Sequence, residues 1–465
     1  MPVDRPTARF SLSQEADMTS TNGAATDWAK RDARVVQHPH GNPQDPERLV
    51  LVRGKGSTLW DAEGREYIDA HAGAWLTQVG HGREELAKVA AEQMSTLAHF
   101  TIMADFANTP TIEFCERLVE RAPRNIAKVR LMSSGSEADD EALQLVRLYH
   151  HRRGQPQRTK VLVLRGSFHG RTYGGAELAG GRPGIGDVPD NAITLTPPWP
   201  YHTELFGGEN LTDFCVRELE ETIARVGAKN IAAMFGELVM GPAGMIPAPD
   251  DYWPRMVSVL KAHGILFVAD EVVTGFGRAG AWYSSLDYNL APDIIVLAKG
   301  IASGYMPLGA LLLDANVADV LDGAGGGGSY AGHLVAAAVA SANIDIIERE
   351  NPLEASRERG RQFLDELGEL INLPVVGDVR GRGLMVGVEL VSDKATREPL
   401  FGRFPSLRKD IDRFLRTKHG VIVGIHGGTI ALTPPLVITA REVSHVVDAV
   451  GDALARVNIH TGRID

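Results

Sequence analysis

Lys299 follows directly on the apolar run Ile294–Ala298, within PDIIVLAKGIASGYMPLGALLL. Lysine is rarely buried without a purpose, and desolvation lowers its pKa and frees the amine to attack a carbonyl. Gly300 leaves room beside it. The plain alternative is a lysine that snorkels from a strand end. Asp270 has a matching setting. In HGILFVADEVVTGFGRAG the run Ile265–Ala269 delivers it to a strand end, with Glu271 next. A partly buried carboxylate there needs a positive partner. A protonated ring nitrogen is one candidate, and Arg278 in a structural salt bridge is the other.

Two earlier segments supply different groups. KVRLMSSGSEADDEALQLVRLYHHRRG reads as a strand ending at Ser133-Ser134-Gly135-Ser136. A helix follows with Ala142, Leu145, Val146 and Tyr149 on one face, His and Arg in its last turn, and Gly154 to stop it. Backbone N–H groups at Gly135 and Ser136, with two hydroxyls, make an anion cradle suited to phosphate. The alternative is an ordinary N-cap. The acids Glu137, Asp139, Asp140 and Glu141 oppose an anion there unless their side chains point outward. In RGSFHGRTYGG, after the strand 160–164, Phe168 could stack on a flat heterocycle, and His169 could orient or cover it. The alternative is a core aromatic in a glycine-rich turn.

Taken singly, each segment leaves its alternative open. In this order they form the set of contacts that pyridoxal phosphate (PLP) requires: an amine, a carboxylate for the pyridine nitrogen, a stacking ring and a phosphate cradle. Asp270 and Lys299 end successive strands, so they are expected to face one pocket.

The elements that must position these residues alternate as short apolar runs and amphipathic helices over 75–337, an α/β layer fold with a mainly parallel sheet. Strands are expected at 129–132, 160–164, 231–236, 264–269, 293–297 and 308–313. A smaller α+β domain is expected over 338–465, with helices at 338–350, 353–371, 405–418 and 441–456, a strand at 383–391 and a strand pair near 421–432. Residues 27–74, with hairpin signals at Lys55-Gly56 and Glu63-Gly64, are expected to belong to that smaller domain, and 1–26 to form a mobile tail. GAGGGGSY at 323–330 reads as a flexible loop. The 465 residues are 44% apolar and 23% charged, which suits a large domain plus a smaller one. A net charge of −11 argues against nucleic acid or anionic membrane as the main partner. Two cysteines, Cys115 and Cys215, make no disulfide framework and suit the cytoplasm. The sequence shows no membrane-spanning run and no signal-peptide pattern at its start, and nothing in it calls for a metal.

The motifs SGSEADDEAL, SFHGRTYGGAELAGG, VADEVVTGFGRAG, LAKGIASGYMPLGALL, SYAGHLVAAAVA, DVRGRGLMVGVEL and LTPPLVIT resemble, in order, those of the class III aminotransferases. These are PLP-dependent enzymes of fold type I. AGAWLTQVGHG at 72–82 and DYWPRM at 251–256 are similar to the amine–pyruvate members. The resemblance implies a homodimer with active sites at the subunit interface and a ping-pong transfer from an amine or omega-amino acid to a keto or aldehyde acceptor. It implies Lys299 as the Schiff-base lysine and proton shuttle, Asp270 at the pyridine nitrogen, and Gly135 and Ser136 at the phosphate. Phe168 and Val272 would take the two ring faces. Ser329 would reach the neighbouring subunit's phosphate, and Trp75 would line the substrate pocket. An aminomutase or decarboxylating transaminase on the same fold is the first rival, and a non-catalytic scaffold the second.

Three positions depart from the family pattern or leave their role open. Gly328 replaces a phenylalanine before the cross-subunit hydroxyl, which implies a looser loop. Glu237 matches a glutamate that partners an active-site arginine in some members. Gly424 stands where many relatives carry an arginine that grips a substrate carboxylate. Glycine would leave space there for a bulky or uncharged substrate, and small keto acids would bind weakly. His426 could replace the arginine only when protonated, and Arg171 or Arg182 only if their loops turn inward.

Overall fold

The computed structural model describes residues 27–39, 48–179 and 191–464. The expected tail 1–26 and Arg182 lie outside them. The chain divides into a short unit ending at Val52 and a large one from Arg53. The described part of the short unit holds one helix, Trp28–Val35, whose N-cap Asp27 accepts a hydrogen bond from the Lys30 N–H.

The large unit is organised by a seven-stranded sheet: β1 (Ile126–Met132), β2 (Lys160–Leu164), β3 (Ala192–Leu195), β4 (Ile231–Glu237), β5 (Leu266–Asp270), β6 (Ile294–Leu297) and β7 (Gly309–Asp314). Their spatial order is β1-β7-β6-β5-β4-β2-β3. Only β7 runs against the rest, antiparallel to both β6 and β1, so the mainly parallel sheet expected from the sequence is present. The continuous apolar runs mark burial on both faces. Successive residues divide between two cores, as the two-residue strand period requires. Leu162, Leu164, Phe267, Ala269, Ile295 and Leu297 enter one cluster, and Val161, Val163, Leu266, Val268, Ile294 and Val296 enter the other.

The differences from expectation have local causes. The strand expected at 264–269 begins at Leu266, because Gly264 turns with φ +61° and the Ile265 N–H caps the preceding helix at Leu260. It therefore takes in Asp270 itself. β3 carries too short an apolar run to be read from sequence. The helix expected from 338 starts at Leu334, since LVAAAVA is apolar all round and shows no period to mark a start. It is followed by helix Pro352–Gly368 and a tighter turn Glu369–Asn372.

A second sheet is built from Val376–Arg382, Met385–Asp393, Thr429–Leu432 and Gly424–His426, in that order. Its first strand was not expected; it pairs with the second around Gly383, whose φ is +55°. The sheet packs its own apolar cluster with helix Ala440–Ala455, which is closed by a Thr439/Glu442 capping box. The helix expected at 405–418 is Leu407–Phe414, continued by a wider turn over Leu415–His419. Val421–Ile422 runs parallel to Glu66–Asp69, which pairs with Thr58–Asp61 around the expected Glu63-Gly64 turn. That pairing places the segment carrying Trp75 beside the one carrying Gly424.

Candidate active site

β5 and β6 are parallel neighbours, so Asp270 and Lys299 come out at the same edge of the sheet. Lys299 has φ +47°, a left-handed conformation that a lysine adopts only when its surroundings impose it. Burial lowers the pKa of its amine, while Asp270, Glu237 and Asp139 oppose that shift. Asp270 is buried. Its Oδ1 accepts the Val272 N–H at 2.9 Å, and its Oδ2 lies 2.7 Å from Nδ1 of the fully buried His169. Burial works against a charged imidazole at His169, but the hydrogen bond and charge of Asp270, with Glu237, raise its pKa. Arg278, the other partner considered for Asp270, donates instead to the carbonyls of Leu384 at 3.3 Å and Pro434 at 2.5 Å. Arg278 lies in the turn that follows β5, away from the strand end that carries Asp270.

Helix Gly135–Arg152 begins where β1 ends, with Ser134 capping the Glu137 N–H. Gly135 and Ser136 are its first two residues, whose N–H groups have no acceptor within the helix. The Ser136 Oγ accepts the Arg171 N–H at 3.2 Å, which leaves its own proton to donate. A Cβ at Gly135 would stand 3.2 Å from Ala298 Cβ and Val272 Cγ1, so the cradle closes on Val272 and on the residue before the lysine. Three of the four nearby acids turn aside. Glu137 accepts the Ser133 N–H, Asp140 accepts the Gly174 N–H, and Glu141 pairs with Arg130. Asp139 does not. It lies on the helix stripe of Ala142 and Val146, is 2% exposed, and its Oδ1 has no partner. One ligand atom each from Asp139, His169 and Asp270 lie within 4.8 Å of one another. Burial, then the charges of Asp270 and Glu237, push the Asp139 carboxyl well above the usual range.

Glu237 ends β4 beside Asp270. Its carboxylate is held by the N–H groups of Phe168 at 2.8 Å and Gly241 at 3.0 Å, where the resemblance had left its role open. Burial raises its pKa to about 7, with His169 opposing and Asp270 reinforcing. Phe168 is half-buried, and the Arg171 guanidinium lies 6.0 Å from its ring centre. On the far side, Lys299 Nζ is 5.4 Å from the ring centre of Trp75. Ala72, Gly73, Ala74 and Trp75 all have positive φ (44°, 55°, 79° and 72°), a single left-handed turn. Asp69 pins it by accepting the N–H groups of His71 and Gly73. These groups fit a flat, phosphorylated pyridine: an amine, a strand-end carboxylate, free helix N–H groups, and inward polar atoms at Asp139 Oδ1 and His169 Nε2 that lack partners.

The family model of the class III aminotransferases matches residues 40–454. The chain belongs to that family. The aminotransferase is 36% identical over 449 residues to a putrescine–pyruvate aminotransferase of Pseudomonas aeruginosa, covering 92% of this chain and 96% of the relative. Among solved structures it is similar to an (S)-enantioselective omega-transaminase from Thermomicrobium roseum, with TM-score 0.89, 39% identity, and coverage of 94% and 99% of the two chains. It is also similar to a PLP-bound amine transaminase from an uncultivated Pseudomonas species, with TM-score 0.87, 38% identity, and coverage of 91% and 98%. The enzyme is therefore a PLP-dependent aminotransferase of fold type I. The comparisons support transamination and not the mutase, decarboxylating or scaffold alternatives.

In the aminotransferase, the region at Gly424 departs from the sequence expectation. A Cβ there would stand 2.7 Å from His71 Nδ1 and 2.9 Å from His426 Nε2, so two imidazoles fill the space expected to be open. His71 was missed in the sequence; its only signal is its place four residues before Trp75. Burial, then His71 and Arg408, lower the His426 pKa to about 4. Ser329 is exposed on a loop whose neighbour Gly328 lies against Glu137.

Proposed function

We propose that Lys299 binds the cofactor and moves the substrate proton, and that Asp270, held by His169, pairs with the ring nitrogen. Gly135 and Ser136 would receive the phosphate, and Phe168 and Val272 would bracket the ring. Bound PLP supplies an electron sink for the substrate carbanion. The protein's part is to lower the pKa of the Lys299 amine by burial, and to hold the Asp270 carboxylate rigid through two hydrogen bonds. The observation that carries this reading is the meeting of a strained, enclosed lysine and a buried carboxylate at the ends of adjacent parallel strands.

The assembly we infer is a homodimer in which Ser329 reaches the partner's phosphate. Support comes from the exposed apolar side chains Leu97, Phe100, Met103, Phe106, Ile112 and Tyr330, among which the Phe100 and Phe106 rings meet edge-on at 5.0 Å. The compartment we infer is the cytoplasm. No helix among the described residues is long and apolar enough to cross a membrane, and burial pushes the free thiols of Cys115 and Cys215 up to about 12.

The donor we infer is an amine without a carboxylate, supported by the amine-using relatives. The test presents an alkyl diamine, an aryl amine and an omega-amino acid as donors, each with a keto acid and an aldehyde acceptor. Turnover with the two amines is expected to exceed that with the omega-amino acid. Activity confined to the omega-amino acid would overturn this donor assignment.

A further inference from the structure

His202 stands between two carboxylates. Its Nδ1 is 2.5 Å from Glu204 Oε1 and its Nε2 is 2.7 Å from Glu389 Oε1. A carboxylate only accepts hydrogen bonds, and a neutral imidazole has one N–H and one lone pair. Both contacts are hydrogen bonds only when both ring nitrogens carry protons, so this geometry calls for an imidazolium. The electrostatics agree. Burial opposes the charge, but the hydrogen bonds and charges of Glu389 and Glu204 raise the His202 pKa. Burial also works against the Glu389 carboxylate, yet His202 and Arg380 hold its pKa below the usual range.

The imidazolium is the outer member of a chain of contacts that ends at the active site. Glu389 is buried on strand Met385–Asp393, and its Oε2 accepts from Arg380 Nη1 at 2.5 Å. The guanidinium also reaches Asp378 at 2.8 Å and Thr429 Oγ1 at 3.3 Å. Its Nε donates to the Gly244 carbonyl at 2.9 Å. Gly244 closes the turn 241–244 by donating to the Gly241 carbonyl. That turn serves the site directly. The Gly241 N–H donates to Glu237, and a Cβ at Gly241 would stand 3.2 Å from Trp75 Cζ3. Trp199 braces the same chain, edge-on to His202 at 4.2 Å and with Arg380 5.2 Å from its ring centre.

Without its second proton, His202 would turn a lone pair towards one carboxylate. Glu204 is exposed and has Arg397 at 2.7 Å as another partner. Glu389 is buried and would be left with Arg380 as its one cation. The other charged or titratable groups facing this strut are Asp378, Arg397 and Tyr201, whose pKa burial and Glu389 raise. We propose that His202 is a positioning residue for the reaction: as an imidazolium it braces Glu389 and Arg380 against the turn 241–244, and its deprotonation loosens the turn that holds Glu237 and backs Trp75. The inference rests on the placement of the reaction at Lys299, and adds a proton-operated support that touches no reacting atom. Because the folded-state pKa is raised, the stability that His202 contributes is fully present below its unfolded value and is lost as pH rises through the folded one.

The test uses the full-length, PLP-loaded enzyme and two variants. His202→Arg keeps a cation at every pH, and His202→Gln never carries one. Melting temperature and kcat/KM for one amine and one acceptor are followed from about pH 6 to about pH 9. At the acid end the wild type is expected to exceed His202→Gln in kcat/KM by roughly tenfold, the scale of one charge-assisted hydrogen bond. At the alkaline end the two should converge, in kcat/KM and in melting temperature alike. His202→Arg should keep the advantage throughout; if it fails to fold, the ratio of wild type to His202→Gln carries the test alone. A constant ratio across the range overturns the proposal. So does a melting difference that converges while the kinetic ratio stays flat, since His202 would then support the fold and not the turn. Turnover that survives Lys299→Ala sinks the placement at Lys299 instead, and the melting curves still judge the charge on His202.

Discussion

The two walls of the proposed active site are built on opposite principles. The wall carrying Asp270, His169 and Glu237 is charged and its members are largely paired; it stands on the ends of β4 and β5, whose backbones are locked into the sheet ladder. The wall carrying His71, Trp75 and His426 is neutral, and its buried nitrogens are unpaired. It stands on a left-handed turn pinned by Asp69 and on a three-residue strand of the second sheet. Proton transfer needs groups fixed to within fractions of an ångström, and strand ends provide that. Substrate choice needs a surface that can change without disturbing the chemistry, and loops and short edge elements provide that. Damage to the first wall should therefore lower every rate, and damage to the second should change ratios between substrates.

Lys299→Ala should cause the largest loss. Steady-state transamination is expected to fall by at least about a thousandfold, from the loss of both nucleophile and proton carrier, with circular dichroism unchanged. Substantial turnover without added amine would break the assignment of chemistry to this wall. Asp270→Asn should keep PLP bound while slowing single-turnover proton transfer by roughly a hundredfold or more, the scale seen when a preorganised electrostatic partner is removed. A near-normal rate would make Asp270 a structural acid.

A pH test is gentler. The folded-state pKa of Glu237 is raised to about 7 from 4.5. The stability it contributes is therefore fully present below its unfolded value and is lost as pH rises through about 7. Glu237→Gln should gain stability relative to the wild type over that window, by up to about 3 kcal/mol at 1.36 kcal/mol per pKa unit. Melting temperatures from pH 5 to 8 read this out, and parallel curves for the two proteins would contradict it. The smallest effect is expected in the turn of the second wall. Ala74 is exposed with φ +79°, and Ala74→Gly should relieve strain worth about 1 kcal/mol, less the added chain entropy of glycine. Thermal unfolding should show a slight gain, and a clear loss would mean the turn is not strained.

Much of the charged wall was legible in the chain. Lys299 and Asp270 announce themselves because polar residues that end long apolar runs must emerge at a sheet edge, and parallel strands emerge at the same edge. The inward turn of Asp139 was not read, though helix periodicity holds it: the crowd of acids around it suggested a common outward face, and only the packed helix separates one from the other three. The sequence does not name the partner of Asp270, because His169 lies 101 positions away and reaches it by tertiary packing.

The neutral wall was legible only as isolated letters. Trp75 and Gly424 were marked by resemblance, but an absent side chain in sequence reads as a space, and His71 comes from a segment some 350 residues earlier. By itself the sequence determined the family, the cofactor and the strand-end pair, since these depend on apolar period and on motifs local to one strand and one turn. The tertiary structure alone decided what stands at Gly424. The parallel pairing of Ile68 with Val421 and the left-handed turn after Asp69 bring two imidazoles to that glycine, and a packed interior seldom leaves empty the volume that one residue vacates.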